Sequence, residues 1–143
     1  MESIEMRYSG FWIRFIAYII DTFFNYWVFF AGSMFLLVYI SNNIFDINID
    51  LINTLTYVIS IPLTFTFTIV CWLYWGTTVG KFIVRIRIVD KEGNKLDLEK
   101  SIIRNISYIL SMVCLLLGFI WIAIDKKKQG WHDKLAQSFV IKM

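Results

Sequence analysis

The sequence has few residues that could staple it and few that could break it. Of 143 residues, two are cysteine, one is proline and one is histidine. Cys71 and Cys114 sit far apart inside apolar runs, form no CxxC pair and give no disulfide framework, so they read as buried thiols. A single histidine, His132, cannot build a histidine zinc site, and no nucleophile with its base is recognisable. No metal, cofactor or enzyme activity is therefore expected, and no nucleic-acid partner. Charge is scarce over long stretches as well: no Lys or Arg occurs from Phe15 to Gly80, nor from Asn105 to Asp125. With 58% hydrophobic residues and a mean hydropathy of +0.63, this excludes a soluble domain. The N-terminal MESIEMRYSG carries two glutamates and one arginine, and the apolar run behind it lacks a small-residue cleavage site, so it is not expected to be a secretory signal.

A bilayer span needs about 20 mostly apolar residues. Phe11 to Ile40 and Leu51 to Trp75 meet that requirement, with Pro62 expected to bend the second span and Trp72, Tyr74 and Trp75 to mark its headgroup end. Between them lies the polar loop Ser41 to Asp50, which has no basic residue. Gly76 to Arg104 carries seven: Lys81, Arg85, Arg87, Lys91, Lys95, Lys100 and Arg104. The charge contrast puts the N-terminus and this segment in the cytoplasm. There Val84, Ile86 and Ile88 alternate with Arg85 and Arg87 ahead of the turn KEGN, which predicts a β-hairpin over about 82–98.

A third apolar segment, Ile102 to Ile124, creates a conflict. One crossing would carry the basic tail, 125–143, outside. Its last residues, SFVIKM, also have a strand pattern suited to the edge of the cytoplasmic hairpin. The reading that satisfies both is a segment that enters the membrane and turns back near Met112 to Leu116, leaving the C-terminus cytoplasmic; a third span is the alternative. The expected fold is thus an all-α integral membrane protein with a small cytoplasmic β-hairpin, in one domain of 1–143.

Two charges stand out in the first span. Arg14 and Asp21 are seven residues apart, hence about 20° apart around the axis and roughly 10 Å along it. With Tyr18 and Asn25 they make a polar stripe that faces protein or water. Arg14 is near enough to the boundary to snorkel; Asp21, about 15 Å in from Phe11, is not. An unpaired charge at such depth costs at least ~2.5 kcal/mol, which makes Asp21 a functional candidate by default. Its bland alternative is a structural counter-ion for Arg14 or Arg104. The second span has its own stripe, Thr56, Ser60, Thr64 and Thr68, which either lines a hydrated path or serves interhelical packing and back-bonding. GTTVGK, Gly76 to Lys81, is one residue short of a phosphate loop and has Phe82 where a hydroxyl is needed; its glycines read as a turn out of the membrane. Asp133 is read as the cap of a short helix or the partner of a hairpin arginine.

Taken together, Arg14 and Asp21, the G-x-T-x-G-K of Gly76, Thr78, Gly80 and Lys81, the basic strand, Arg104 and the tail WHDKLAQSFVI resemble the RDD family of small prokaryotic membrane proteins, over essentially the whole chain. The resemblance implies that the family's arginine is Arg14, its first aspartate Asp21 and its second Asp133, with Asp125 the other candidate. Gln137 stands where a glycine is common and Ser138 where threonine is usual. It also implies a transport role. The expectation is therefore a plasma-membrane protein, too small to enclose a path alone and so expected to be a homo-oligomer, in which Arg14 tunes Asp21 as a cation- or proton-binding carboxylate. The alternative is a non-catalytic envelope protein, a partner subunit or lipid-binding factor that grips anionic headgroups.

Overall fold

The computed structural model describes the backbone of residues 7–113 and 117–143, and the side chains of these residues outside 110–113 and 117–119. The long apolar runs become helix because little interrupts them. Helix α1 (Phe11–Asn25) continues through a π-helical segment (Tyr26–Ala31) into α2 (Gly32–Asn43), and α3 (Ile49–Tyr74) runs on through Pro62. Both runs are long and apolar enough to cross a membrane. They exceed the expected spans at the polar loop, because local side chains extend the helices: the Asn43 amide donates to Tyr39 O at 2.8 Å, and Asn48 Oδ1 accepts the Asp50 N–H at 2.8 Å.

The chain divides into two compact units, one of Thr22–Phe67 and the other of the residues flanking it on both sides. Thr22–Phe67 is held by aromatic rings: Phe24 and Phe29 pack on Phe67 with centroids 5.9 and 5.2 Å apart, and Phe30 packs on Tyr57 at 5.2 Å. Large side chains such as Trp27, Phe35 and Tyr39 point outward, an apolar exterior suited to lipid.

The other unit contains the rest of the secondary structure: α4 (Val79–Ile83), β1 (Ile86–Val89), α5 (Leu98–Val113), α6 (Leu117–Ile124), α7 (Trp131–Leu135) and β2 (Phe139–Lys142). Here the expected local hairpin is corrected. β1 pairs antiparallel with β2, Ile86 opposite Lys142 and Val89 opposite Phe139, so the partner strand comes from the tail. The reason lies in the residues around and after KEGN. Asp90 Oδ1 closes that turn by accepting the Glu92 and Asn94 N–H groups, and Asp97 then accepts the Lys100 N–H and starts α5 before a second arm can form. The alternation in β1 holds, with Ile86 and Ile88 buried and Arg85 and Arg87 exposed. On the far edge of β2, Ser9 N donates to Val140 O and Lys142 N to Arg7 O, both at 2.9 Å, so the segment leading into α1 joins the sheet. Ala17, Trp72, Ile86, Ile88, Leu96 and Val140 form the core beneath.

Helices α5 and α6 pack on each other and both pack on α7. Of the stretch Met112 to Leu116 where a turn is expected, the first two residues belong to α5 and 114–116, Cys114 among them, lie outside the described residues. Cys71 is buried, as expected.

Candidate functional site

The buried side of α1 in its first three turns is Arg14, Ala17 and Asp21, spaced at i, i+3 and i+7, while Tyr18 lies toward the exposed side. Arg14 and Asp21 do not find each other. Each reaches a different segment of the same compact unit.

Arg14 is fastened at its foot by Ser9, whose Oγ and carbonyl accept Nε at 2.9 and 3.0 Å. Its Nη1 meets Asp133 Oδ2 at 2.5 Å, across 119 residues of sequence. Asp133 lies in α7, where Oδ2 also accepts the Gly130 N–H at 2.9 Å, so it caps that helix as expected; its basic partners, however, are not in the strand. The second is Arg104 of α5, at 2.5 Å from Oδ1. Arg104 is fully buried, donates to the Ser138 hydroxyl and lies over the Trp72 ring at 5.5 Å. Ser138 thus fills the threonine position with the same hydroxyl. Gln137 adopts φ +48°, a left-handed conformation that explains why glycine is common there.

Burial works against ionising Asp133, but Arg104 and Arg14, with the Gly130 N–H, outweigh it and hold the carboxyl well below the usual carboxylate range. His132, buried and stacked on Tyr108 at 4.2 Å, is lowered to about 3. Burial is the main cause; the pull of Asp133 opposes it, and Arg104, Arg14 and Lys81 reinforce it. The 3.6 Å contact between His132 and Asp133 is therefore one of a neutral ring at pH 7. Two arginines on one carboxylate leave this triad with a net charge of about +1.

Asp21 has lighter restraints. The Thr78 hydroxyl donates to its Oδ2 at 2.5 Å, the Gly80 N–H to its Oδ1 at 2.7 Å, and Lys81 Nζ stands 3.4 Å away. The GTTVGK segment is thus more than a turn. Gly76 does turn, at φ +66° after α3, but Gly80 lets two backbones touch: a Cβ there would lie 2.2 Å from Ala17 O and 2.9 Å from Asp21 N. Thr78, Gly80 and Lys81 are partners of Asp21 that sequence reasoning missed, although the G-x-T-x-G-K spacing was the signal.

The remaining candidates lie on α1, on α3 and in the turn after α6. Asn25 is half-buried and makes no capping bond to the adjoining π segment. Thr56 and Ser60 are buried, and Thr56 Oγ1 donates to Ile52 O at 2.8 Å, the back-bonding expected of a packing role. Thr64 and Thr68 are half-buried, each with a neighbouring partner. Asp125 pairs with Lys134 at 2.6 Å and accepts the Lys127 N–H, so it closes the turn after α6 and does not join the arginines. Among the described residues no group of three His, Cys, Asp or Glu could hold a metal ion.

Two helices are long and apolar enough to cross a bilayer, the pattern of a small membrane protein, and the two charges of the first, Arg14 and Asp21, are paired. The chain belongs to the RDD family, which it matches over residues 8–137. It is 29% identical to an uncharacterized Bacillus subtilis protein, YxaI, over 93% of this chain and 96% of that one. An uncharacterized membrane protein of the same organism, YteJ, is 28% identical over 98% of this chain and 84% of its own length. An uncharacterized Rickettsia prowazekii protein, RP437, is 34% identical over 64% of this chain and 51% of its own. No solved structure matches.

Proposed function

We propose that the protein transports a monovalent cation, with Asp21 as the cation-binding carboxylate and Lys81 as its exchangeable counter-ion. The observation that carries the reading is the 3.4 Å gap between Lys81 Nζ and Asp21 Oδ2, the longest of the carboxylate's three contacts. A dehydrated cation entering at Oδ2 would find the Thr78 hydroxyl beside it. It would displace Lys81 from Oδ2 and leave its ammonium on the Thr78 hydroxyl, which it already meets at 3.1 Å. Arg14, expected to tune Asp21, has instead the role of a fixed support through Asp133. The small number of spans makes a homo-oligomer the natural unit for a complete path.

The same reading places both termini in the cytoplasm. Support comes from the sheet, in which the segment before α1, the strand after α3 and the tail strand hydrogen-bond side by side. A C-terminal reporter active only outside the cytoplasm should stay silent, and robust activity would mean an odd number of crossings. For transport, purified protein in proteoliposomes should carry Na⁺ down an imposed gradient, while a folded Asp21→Asn protein should not. Equal flux in the two would refute the assignment.

A further inference from the structure

The unit holding the two ion clusters also has a groove, remote from their chemistry. It encloses about 410 Å³ and is lined by Gly10, Phe11 and Trp12 at the start of α1 and by Ile120, Ala123 and Lys128 at and beyond the end of α6. Its walls are apolar, with Trp12 and Ile120 72% and 48% exposed, and Lys128 adds an ammonium to the lining. Lys128 Nζ donates to Ala123 O at 3.0 Å, a contact that parks it at the rim and leaves two of its three N–H donors available. Lys126 and Lys127 precede it in the same turn, so the rim is positive. The first N–H groups of α1 add a partial positive charge at Gly10 and Phe11.

We propose that this groove binds one anionic phospholipid, its phosphate at Lys128 and its acyl chain along Trp12, Ile120 and Ala123. Charge complementarity selects the occupant. An apolar trough with one lysine and a helix start in its lining matches a molecule with a long apolar body and a negative head. A zwitterionic lipid would bring its own cation to the same rim and lose the advantage. The exposed strand arginines are not part of this site, which is a pocket for one molecule and not a general attraction of a basic surface.

Lys128 also supplies a clean probe. Its φ is +52°, so glycine relaxes the backbone while it removes the ammonium, and Lys128→Gly should fold at least as well as the parent. The measurement is retention of phosphatidylglycerol and phosphatidylcholine by purified protein in detergent, titrated by native mass spectrometry, with glycerol phosphate as the headgroup-only control. The parent should hold one phosphatidylglycerol more tightly than phosphatidylcholine, and glycerol phosphate should not compete. Lys128→Gly should weaken that lipid about fivefold, the scale of one basic residue near an anionic head. Ala123→Trp, which fills the trough, should abolish the site. Equal retention of both lipids by the parent, or unchanged phosphatidylglycerol affinity in Lys128→Gly, would overturn the proposal, and so would competition by glycerol phosphate.

Discussion

Asp133 and Asp21 both serve the same helix, yet they are held in different ways. Asp133 is wholly buried, with an arginine 2.5 Å from each of its oxygens and a backbone N–H besides. Asp21 keeps 14% of its side chain exposed and holds a lysine at 3.4 Å, a hydroxyl and one N–H. Arginine offers a rigid fork of donors; lysine is a point charge on a flexible stem. One carboxylate is therefore built as a clasp between the start of α1, α5 and α7. The other is held by weaker and more mobile contacts.

The sharpest way to break this contrast is to neutralise each carboxylate in turn. Asp133→Asn leaves two buried arginines uncompensated and should cost about 3–5 kcal/mol, read as a large fall in the unfolding midpoint in detergent. Asp21→Asn should cost less, about 1–2 kcal/mol, because one cation rather than two is left behind and Lys81 keeps its bond to the Thr78 hydroxyl. Equal costs would erase the distinction. Gly80→Ala comes next: the new methyl meets Ala17 O, a backbone atom of α1 that cannot swing away, and about 2–3 kcal/mol should be lost by thermal unfolding.

Acid should act on the clasp through His132. Its folded pKa of about 3 is below the ordinary value of 6.5, so the unfolded chain binds the extra proton first as pH falls. The stability it contributes is complete above about 6.5 and declines between there and about 3, at up to about 1.4 kcal/mol per pH unit. Asp133, held below the usual carboxylate range, gives up its contribution only at still lower pH. His132→Gln should flatten the limb between pH 6 and 4 in denaturation midpoints; an unchanged limb would mean that the ring is not buried neutral. The smallest effect is expected at Gln137, where glycine relieves a left-handed φ at a cost in unfolded-chain entropy, for a net gain of about 0.5 kcal/mol in chemical denaturation.

Much of this was legible in the sequence, within limits set by distance along the chain. The two long helices follow from long apolar runs with little charge, and β1 from its alternation of isoleucine and arginine. The i, i+7 spacing correctly put Arg14 and Asp21 on the side of α1 that meets the compact unit. It could not say what each meets, because local geometry is silent about a partner 119 residues away at Asp133, or 57 residues away at Thr78. The hairpin misreading has the same cause. KEGN is a sound turn, but the competing start of α5 at Asp97 takes the chain away, and the strand that pairs with β1 arrives from the tail. Gly80 carried a further signal: in a position with an ordinary negative φ, glycine marks a close approach and not a turn.

The proposed exchange of Lys81 for a cation at Asp21, with Asp133 staying fixed, can be tested without measuring transport. Infrared difference spectra of the purified protein with and without Na⁺, at constant ionic strength, report carboxylate stretches directly. The predicted result is one Na⁺-induced shift of a carboxylate band that is present in the parent and absent from Asp21→Asn. No shift in the parent, or a shift that survives in Asp21→Asn, would contradict it.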